Sequence, residues 1–280
     1  MGNNIFISEI LASPITWLMF LLGSFIGSFL NVCIVRIPLG TFFKNARSVC
    51  PHCGKGIPAY HNIPILSWFI LRGRASCCKS SISSRYMFVE LLTAILFVII
   101  YWKFPFLTNE NGFYILDHAN SLRFLHAAVF CSALIACSFI DLKYMIIPDS
   151  ISLSMILITP LVVIIHPDLK SIDAAIGVFA GGFSLYAIAW LYFLLRSEVG
   201  MGMGDVKLLA GIGGWLGYQA IIPTIFYGSI MGSVFAILAI IASGNINLKT
   251  AIPFGPFLAL GAIIHLILGS YIQLLLAGAA

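Results

Sequence analysis

A run of glycines followed by an aspartate lies in the second half of the chain. The segment Gly200-Met-Gly-Met-Gly-Asp-Val-Lys207 ends one apolar run and begins the next. Glycine lowers helix stability by about 0.8–1 kcal/mol relative to alanine, but it permits positive φ angles and the close approach of a second backbone. A carboxylate at the edge of a hydrophobic segment, such as Asp205, is energetically unfavourable and usually functional. Asp205 is therefore a candidate catalytic acid, in a site that Gly202, Gly204 and Lys207 would shape.

A second aspartate has similar surroundings. Asp141 ends an earlier apolar run, within the segment Phe139-Ile-Asp-Leu-Lys-Tyr-Met-Ile-Ile-Pro-Asp149. Two carboxylates about 3 Å apart share one proton, so that one activates water while the other polarises a peptide carbonyl. Asp141 and Asp205 therefore predict an aspartic protease that works at a membrane. Capping is the alternative role, because both lie at predicted helix ends; Asp149, which follows a proline, is predicted to cap a helix.

The composition indicates a protein with several membrane-spanning helices. The chain of 280 residues is 60% hydrophobic and 9% charged, whereas soluble domains have about 25% charged residues. Apolar runs of spanning length, about 17–25 residues, lie near 14–35, 86–102, 122–140, 150–166, 172–195, 206–222, 224–242 and 252–277. We predict an all-α polytopic membrane protein with about eight transmembrane helices and one cytoplasmic, cysteine-bearing loop module.

The distribution of Lys and Arg predicts the orientation in the membrane. Twelve of the fifteen lie between the apolar runs on one side, and the other three are Lys103, Arg123 and Lys170. The positive-inside rule then places the N-terminus outside and the loop 36–85 in the cytoplasm, together with Asp141 and Asp205. The net charge of +5 follows from this topology and indicates no nucleic-acid partner.

The loop 36–85 contains four clustered cysteines. Cys50-Pro-His-Cys53 is separated by twenty-three residues from the pair Cys77-Cys78. A C-x-x-C turn can hold a tetrahedral zinc ion, and a metal would stabilise a loop that has little core of its own. Adjacent cysteines point apart in most backbone conformations, so two of them on one ion require a strained turn. We predict a zinc site formed by Cys50, Cys53, Cys77 and Cys78; His52 is a weaker candidate ligand, and four free thiols are the alternative.

Glu90 lies inside the second apolar run. A carboxylate within a membrane segment is a functional candidate, so Glu90 is predicted to shape a substrate site. A salt bridge to Arg85 or to a neighbouring residue is an equally good interpretation.

Two groups of glycines favour helix packing. Gly23 and Gly27 form a G-x-x-x-G step in the first apolar run, which is typical of two closely packed membrane helices. The run Gly211-Ile-Gly-Gly-Trp-Leu-Gly217 is superficially like a nucleotide-binding loop, but no strand precedes it and no βαβ unit surrounds it.

Taken in chain order, several motifs resemble those of bacterial type IV prepilin peptidases. They span about residues 20–210 and comprise Gly-Ser-Phe-Leu-Asn-Val (27–32), Cys50-Pro-His-Cys53, Asn62-Ile-Pro64, Arg85-Tyr86 with Glu90, Ile140-Asp141 through Ile147-Pro-Asp149, and Gly202-Met-Gly-Asp205. The resemblance implies an inner-membrane aspartic protease that removes the leader of type IV prepilins or type II secretion pseudopilins. Cleavage would follow a glycine at the cytoplasmic face, with Asp141 and Asp205 as the catalytic pair.

The resemblance also implies a second activity, N-methylation of the newly exposed residue with S-adenosylmethionine as the methyl donor. The cysteine-bearing loop is associated with this activity, and it usually carries two C-x-x-C pairs. Here Ala75 stands where one cysteine is expected when the motifs are aligned on Arg85-Tyr86, and Cys77 lies two positions away. Zinc binding and methylation therefore depend on Cys77 as a replacement.

These observations predict three modules, comprising a first transmembrane helix (1–35), a cytoplasmic loop module with the zinc site (36–85) and a seven-helix membrane protease core (86–280). The expected partners are prepilin or pseudopilin substrates and the lipid bilayer.

The alternative function is a proton- or cation-coupled transporter that uses the paired aspartates. A transporter predicts acids near the membrane midplane and inverted repeats, whereas Asp141 and Asp205 lie at helix ends and no repeat is visible. Another Gly-x-Gly-Asp protease is disfavoured by the cysteine loop.

Overall fold

The chain folds mainly into long helices. The computed structural model describes residues 13–42, 49–50, 52–110, 113–198, 200–243 and 252–278. The helices in these residues are α1 (Pro14–Arg36), α2 (Leu66–Ile70), α3 (Ser84–Lys103), α4 (His118–Tyr144), α5 (Asp149–Ile165), α6 (Ser171–Arg196), α7 (Met203–Leu216), α8 (Ile221–Ser243) and α9 (Gly255–Gly278). The predicted helical character is confirmed. Lys44, Arg47 and Lys249, which entered the charge count, lie outside the described residues.

Each predicted apolar run overlaps a helix of the described residues, but the number of membrane crossings is tested only in part. Within the described residues, five segments are long and apolar enough to cross a membrane: α1, α3, α4, α6 and Tyr218–Ala242. The run predicted at 206–222 is interrupted, because α7 ends at Leu216 and Gly217 adopts a φ of 81°. The fourteen residues of α7 are fewer than the roughly 20 that span a bilayer. Eight crossings therefore remain a prediction.

The chain divides into two compact units, Met1–Ala136 and Cys137–Ala280. In the first unit α1 packs along α3 at the two predicted glycines. A Cβ atom at Gly23 would lie 2.7 Å from Cα of Ala94, and one at Gly27 would lie 2.6 Å from Cα of Glu90. The G-x-x-x-G prediction is thus confirmed as close helix packing. The division into three modules remains a prediction.

A short hairpin connects α3 to α4. Strand β1 (Leu107–Glu110) pairs antiparallel with β2 (Phe113–Leu116), with Leu107 opposite Leu116. All four side chains of β2 are exposed. The sequence did not predict this hairpin, because the strands are only four residues long.

In the second unit α7 packs closely against α5 and α6. Gly177 of α6 and Gly213 of α7 approach so closely that neither position has room for a Cβ atom. The indole Nε1 of Trp215 donates a hydrogen bond to the carbonyl of Met155 in α5 at 2.9 Å. The glycine-rich run at 211–217 is therefore a helix-packing surface and not a nucleotide-binding loop, as predicted.

Candidate active site and metal centre

Asp141 lies in the last turn of α4 and is only 5% exposed. Its Oδ2 atom accepts a hydrogen bond of 3.1 Å from the backbone N–H of Gly255, the first residue of α9. The helix ends three residues later at Tyr144, and Met145 has a φ of 56°. The end of α4 and the start of α9 together fix the position of this carboxylate.

Asp205 lies in the first turn of α7 and is half-buried. The residue that precedes the helix is Gly202, and no side chain caps this end of α7. Within the described residues, Oδ1 of Asp205 is buried and has no hydrogen-bond partner. Capping of its own helix therefore does not account for Asp205.

The glycines beside the two aspartates, Gly204 and Gly255, both contact Ile147 within the second unit. A Cβ atom at Gly204 would lie 2.9 Å from Cβ of Ile147, and one at Gly255 would lie 2.9 Å from Cδ1 of the same side chain. The carboxylates of Asp141 and Asp205 are close enough to repel each other when both are ionised. Such a pair can share one proton, so that one carboxylate activates water and the other polarises a carbonyl.

Lys207 and Asp149 form an ion pair beside this site. Nζ of Lys207 lies 2.7 Å from Oδ1 of Asp149. The prediction that Asp149 caps a helix is wrong, because Pro148 occupies the cap position and no side-chain cap hydrogen bond is formed at this end of α5. A carboxylate at the first position of the helix can instead reach the neighbouring helix α7.

The backbone beside Asp205 is open at Gly202. Among the described residues, a Cβ atom at Gly202 would have no neighbour closer than 4.0 Å.

Glu90 makes its contacts within the first unit. Its Oε2 atom accepts a hydrogen bond of 2.7 Å from the backbone N–H of Ile65, and the hydroxyl of Ser28 also hydrogen-bonds to it. The alternative of a salt bridge to Arg85 is wrong in the described part of the chain; that guanidinium lies 5.1 Å from the ring centre of Tyr86. Ile65 precedes α2 with a φ of 64°, which is strained for a β-branched residue. Glu90 thus holds a strained loop residue, and its role in shaping a substrate site remains a prediction.

The four predicted cysteines of the loop lie together. Their Sγ atoms are all within 4.8 Å of one another, with Cys50 3.7 Å from Cys78 and Cys53 3.2 Å from Cys77. Lys79, directly after Cys78, has a φ of 60°, so the strained residue of this turn follows the cysteine pair. Ala75 is buried in the same turn, where its N–H donates to the carbonyl of Ser80. Cys77 therefore lies in the cluster, whereas His52 is not part of it.

Two of these thiols have a lowered pKa, which favours the thiolate form that binds a metal. Backbone N–H groups of Cys53 and His52 lower the pKa of Cys50 to about 6, and hydrogen bonds from Ser80 lower the pKa of Cys78. The hydrogen bond with Cys53 raises the pKa of Cys77 to about 12. Zinc–sulfur bonds of about 2.3 Å in a tetrahedron place sulfur atoms about 3.8 Å apart, which matches this cluster. The four thiols fit a structural zinc ion.

The chain is similar to known proteins over nearly its whole length. Residues 21–104 match the bacterial peptidase A24 N-terminal domain, and residues 128–237 match the type IV leader peptidase family. A prepilin leader peptidase/N-methyltransferase of Aeromonas salmonicida (strain A449) is 36% identical over 291 residues, which cover 94% of this chain and 95% of that protein. The chain belongs to the type IV leader peptidase family. Proteins of the same name from Dichelobacter nodosus and Pseudomonas aeruginosa are 34% and 32% identical, over 95% and 90% of this chain and 96% and 90% of their own lengths.

Family membership confirms the resemblance seen in the sequence motifs. The first matched region contains Glu90 and the cysteine cluster, and the second contains Asp141 and Asp205. No solved structure matches the chain significantly.

Sequence reasoning missed Gly255, which contacts Asp141 but lies beyond both matched regions. The available signal was a glycine between Phe254 and Pro256 at the start of the last apolar run.

Proposed function

We propose that this member of the type IV leader peptidase family is a membrane aspartic endopeptidase with Asp141 and Asp205 as its catalytic pair. It cleaves the leader of type IV prepilins or type II secretion pseudopilins after a glycine. The observation that carries the proposal is that Asp141 and Asp205 interact electrostatically within one compact unit, where the glycines beside them both contact Ile147. The names of the relatives support the substrate class. Family membership argues against the transporter alternative.

The proposed chemistry uses both carboxylates and one water molecule. The ionised carboxylate takes a proton from water as the oxygen attacks the scissile carbonyl, and the protonated carboxyl group hydrogen-bonds to the carbonyl oxygen. Gly202 leaves open space next to Asp205, in which an extended substrate backbone can lie. Lys207 and Gly204 fix the first turn of α7 through Asp149 and Ile147.

The distribution of Lys and Arg supports an inner-membrane location with the active site facing the cytoplasm. A substrate helix would then enter laterally from the bilayer, and the basic residues of its leader would stay at the cytoplasmic surface. The exposed apolar surface of α6, which is 11% buried over its most apolar window, is suited to contact with lipid.

We further propose that the protein methylates the amino group freed by cleavage, as the names of its relatives indicate. S-adenosylmethionine supplies an electrophilic methyl group in such a reaction. Zinc held by Cys50, Cys53, Cys77 and Cys78 would stabilise the loop module associated with this activity.

One assay tests both activities. Purified protein in liposomes receives a prepilin with an intact leader and S-adenosylmethionine, and the mass of the product and the zinc content are followed. Cleavage after glycine with a mass gain of one methylene group supports both activities, whereas cleavage without the gain removes the methyltransferase. The variants Asp141→Asn and Asp205→Asn should stay folded and lose cleavage, with Asp117→Asn, at an exposed carboxylate in the first unit, as the control. No cleavage by folded wild-type protein would contradict the proposal.

A further inference from the structure

The two aspartates have unequal surroundings. Oδ2 of Asp141 accepts the N–H of Gly255 at 3.1 Å, whereas Oδ1 of Asp205 has no partner among the described residues. From this asymmetry we propose that Asp141 is the ionised, water-activating carboxylate, that Gly255 is the positioning residue that holds it, and that Asp205 carries the shared proton. This assignment rests on the proposed peptidase function and adds a separate role for each acid.

The hydrogen bond from Gly255 stabilises negative charge on Asp141. A backbone N–H that donates to an ionised carboxylate forms a charge-assisted hydrogen bond, roughly twice as strong as a neutral one. Asp141 is 5% exposed, so solvent contributes little to the stabilisation of its charge. Helix dipoles do not favour charge on Asp141 over Asp205, because Asp205 lies in the first turn of α7 whereas Asp141 lies in the last turn of α4 as well as beside the start of α9. The direct hydrogen bond does.

The first turn of α9 leaves one N–H available for this purpose. The first amide N–H groups of a helix have no partner within it. At this helix end the N–H groups of Phe257 and Leu258 donate to the carbonyl of Phe254, and Pro256 has no N–H. The remaining N–H, that of Gly255, donates to Asp141.

A side chain at residue 255 would displace Asp141 or Ile147. A Cβ atom on residue 255 would lie 2.7 Å from Oδ2 of Asp141 and 2.9 Å from Cδ1 of Ile147. Any side chain would therefore push the amide away from the carboxylate that it holds.

On the other side of the pair, Asp205 is suited to carry the proton. A buried oxygen without a donor stabilises a full negative charge poorly. When Asp205 is protonated, its O–H can donate to Asp141 or to a substrate carbonyl, which removes the repulsion between the two carboxylates.

The assignment gives a balanced reaction. Water transfers a proton to Asp141 and its oxygen bonds to the carbonyl carbon, while the proton of Asp205 moves to the carbonyl oxygen. When the carbon–nitrogen bond breaks, the proton on Asp141 passes to the leaving amine. A hydroxyl of the tetrahedral intermediate returns a proton to Asp205, so the pair ends in its starting state.

An amide-to-ester substitution tests the role of Gly255 without adding a side chain. Cell-free translation of the full chain into liposomes, with a suppressor tRNA charged with glycolate, replaces the N–H of residue 255 by oxygen. We expect kcat for prepilin cleavage to fall about 10- to 100-fold with KM within about twofold, because the lost bond supports a charged group rather than substrate binding. The matched control is the same backbone change at Ser171, the first residue of α6.

The aspartate variants test the assignment of the two acids. The amide of Asp205→Asn still donates a hydrogen bond to a carbonyl. Asp141→Asn retains only Asp205, whose buried Oδ1 has no donor to stabilise it as the ionised base. Residual cleavage in single-turnover assays should therefore be at least about tenfold higher in Asp205→Asn. The ester at 255 should have no further effect in Asp141→Asn, because no carboxylate remains to be held.

Three results would overturn the assignment: an ester variant with unchanged kcat, a change confined to KM, or higher residual activity in Asp141→Asn. Normal cleavage by both asparagine variants would instead contradict the proposed peptidase function itself.

Discussion

Lys207 and Asp149 join the first turns of α7 and α5 through an ion pair of 2.7 Å. The side chains are 31% and 60% exposed, respectively. Exposed pairs contribute about 0.2–1 kcal/mol, so this contact adjusts the position of α7 and is a minor part of its stability. The ion pair links two elements of the candidate site, because α7 contains Asp205 and Ile147 lies just before α5.

Replacement of either partner should have a small effect. We expect Lys207→Gln and Asp149→Asn each to lower the cleavage rate by no more than about fivefold, with the double variant no worse than the single ones. A double-mutant cycle on the cleavage rate measures this coupling. A loss of about 100-fold in Lys207→Gln alone would show that the lysine contacts the substrate directly.

The two glycines before Asp205 should respond differently to alanine. In Gly204→Ala the new Cβ atom would meet Cβ of Ile147 at 2.9 Å, and such overpacking typically destabilises by about 1–3 kcal/mol. In Gly202→Ala the new atom would have no neighbour closer than 4.0 Å. Thermal unfolding in detergent should therefore show a loss of stability only for Gly204→Ala. A loss of cleavage in a fully stable Gly202→Ala would locate the substrate backbone at this residue.

Zinc binding should weaken as the pH falls. Zinc binds thiolates and competes with protons, and the pKa of Cys50 is lowered to about 6 while that of Cys78 is also lowered. Affinity should therefore fall with pH throughout the neutral range, because Cys77 must lose its proton, and more steeply below about 6, where Cys50 also becomes protonated. Near neutral pH binding should release the proton of Cys77, whose pKa is raised to about 12. Calorimetry in buffers of different ionisation enthalpy measures this release.

The same site predicts which substitutions remove the metal. Cys77→Ser should lower zinc occupancy measured by mass spectrometry, since Cys77 lies in the cluster. His52→Ala, a change in the same loop outside the cluster, is the control and should retain zinc. Full occupancy in Cys77→Ser would show that this thiol is not a ligand.

Glu90 should tolerate glutamine better than alanine. The amide oxygen of Glu90→Gln can still accept the N–H of Ile65, whereas Glu90→Ala leaves that donor unpaired, which typically costs about 1–3 kcal/mol. Limited proteolysis of the loop that contains α2 should be faster in Glu90→Ala than in Glu90→Gln. If the loop is cleaved equally fast in both variants, the charge of Glu90 contributes more to the stability of the loop than its hydrogen bond does.

The sequence predicted where the helices lie and which residues are candidates for catalysis, but it predicted the ends of the helices less well. Hydropathy located all the long helices, and the G-x-x-x-G step located the contact between α1 and α3. The predicted cap at Asp149 failed because a carboxylate at a helix start also pairs with a lysine on a neighbouring helix. The end of α7 at Leu216 was missed because apolar residues continue past the turn at Gly217.

The sequence by itself determined that this is a membrane protein, where its helical segments lie, and which residue types are available for catalysis and metal binding. These properties are local, because hydropathy and i to i+4 hydrogen bonds depend on neighbouring residues. The tertiary structure alone decided which groups meet. Asp141 meets the amide of Gly255 across 114 residues, and Cys50 meets Cys78 across 28. Such contacts depend on how whole helices and turns pack, and no short stretch of sequence contains that information.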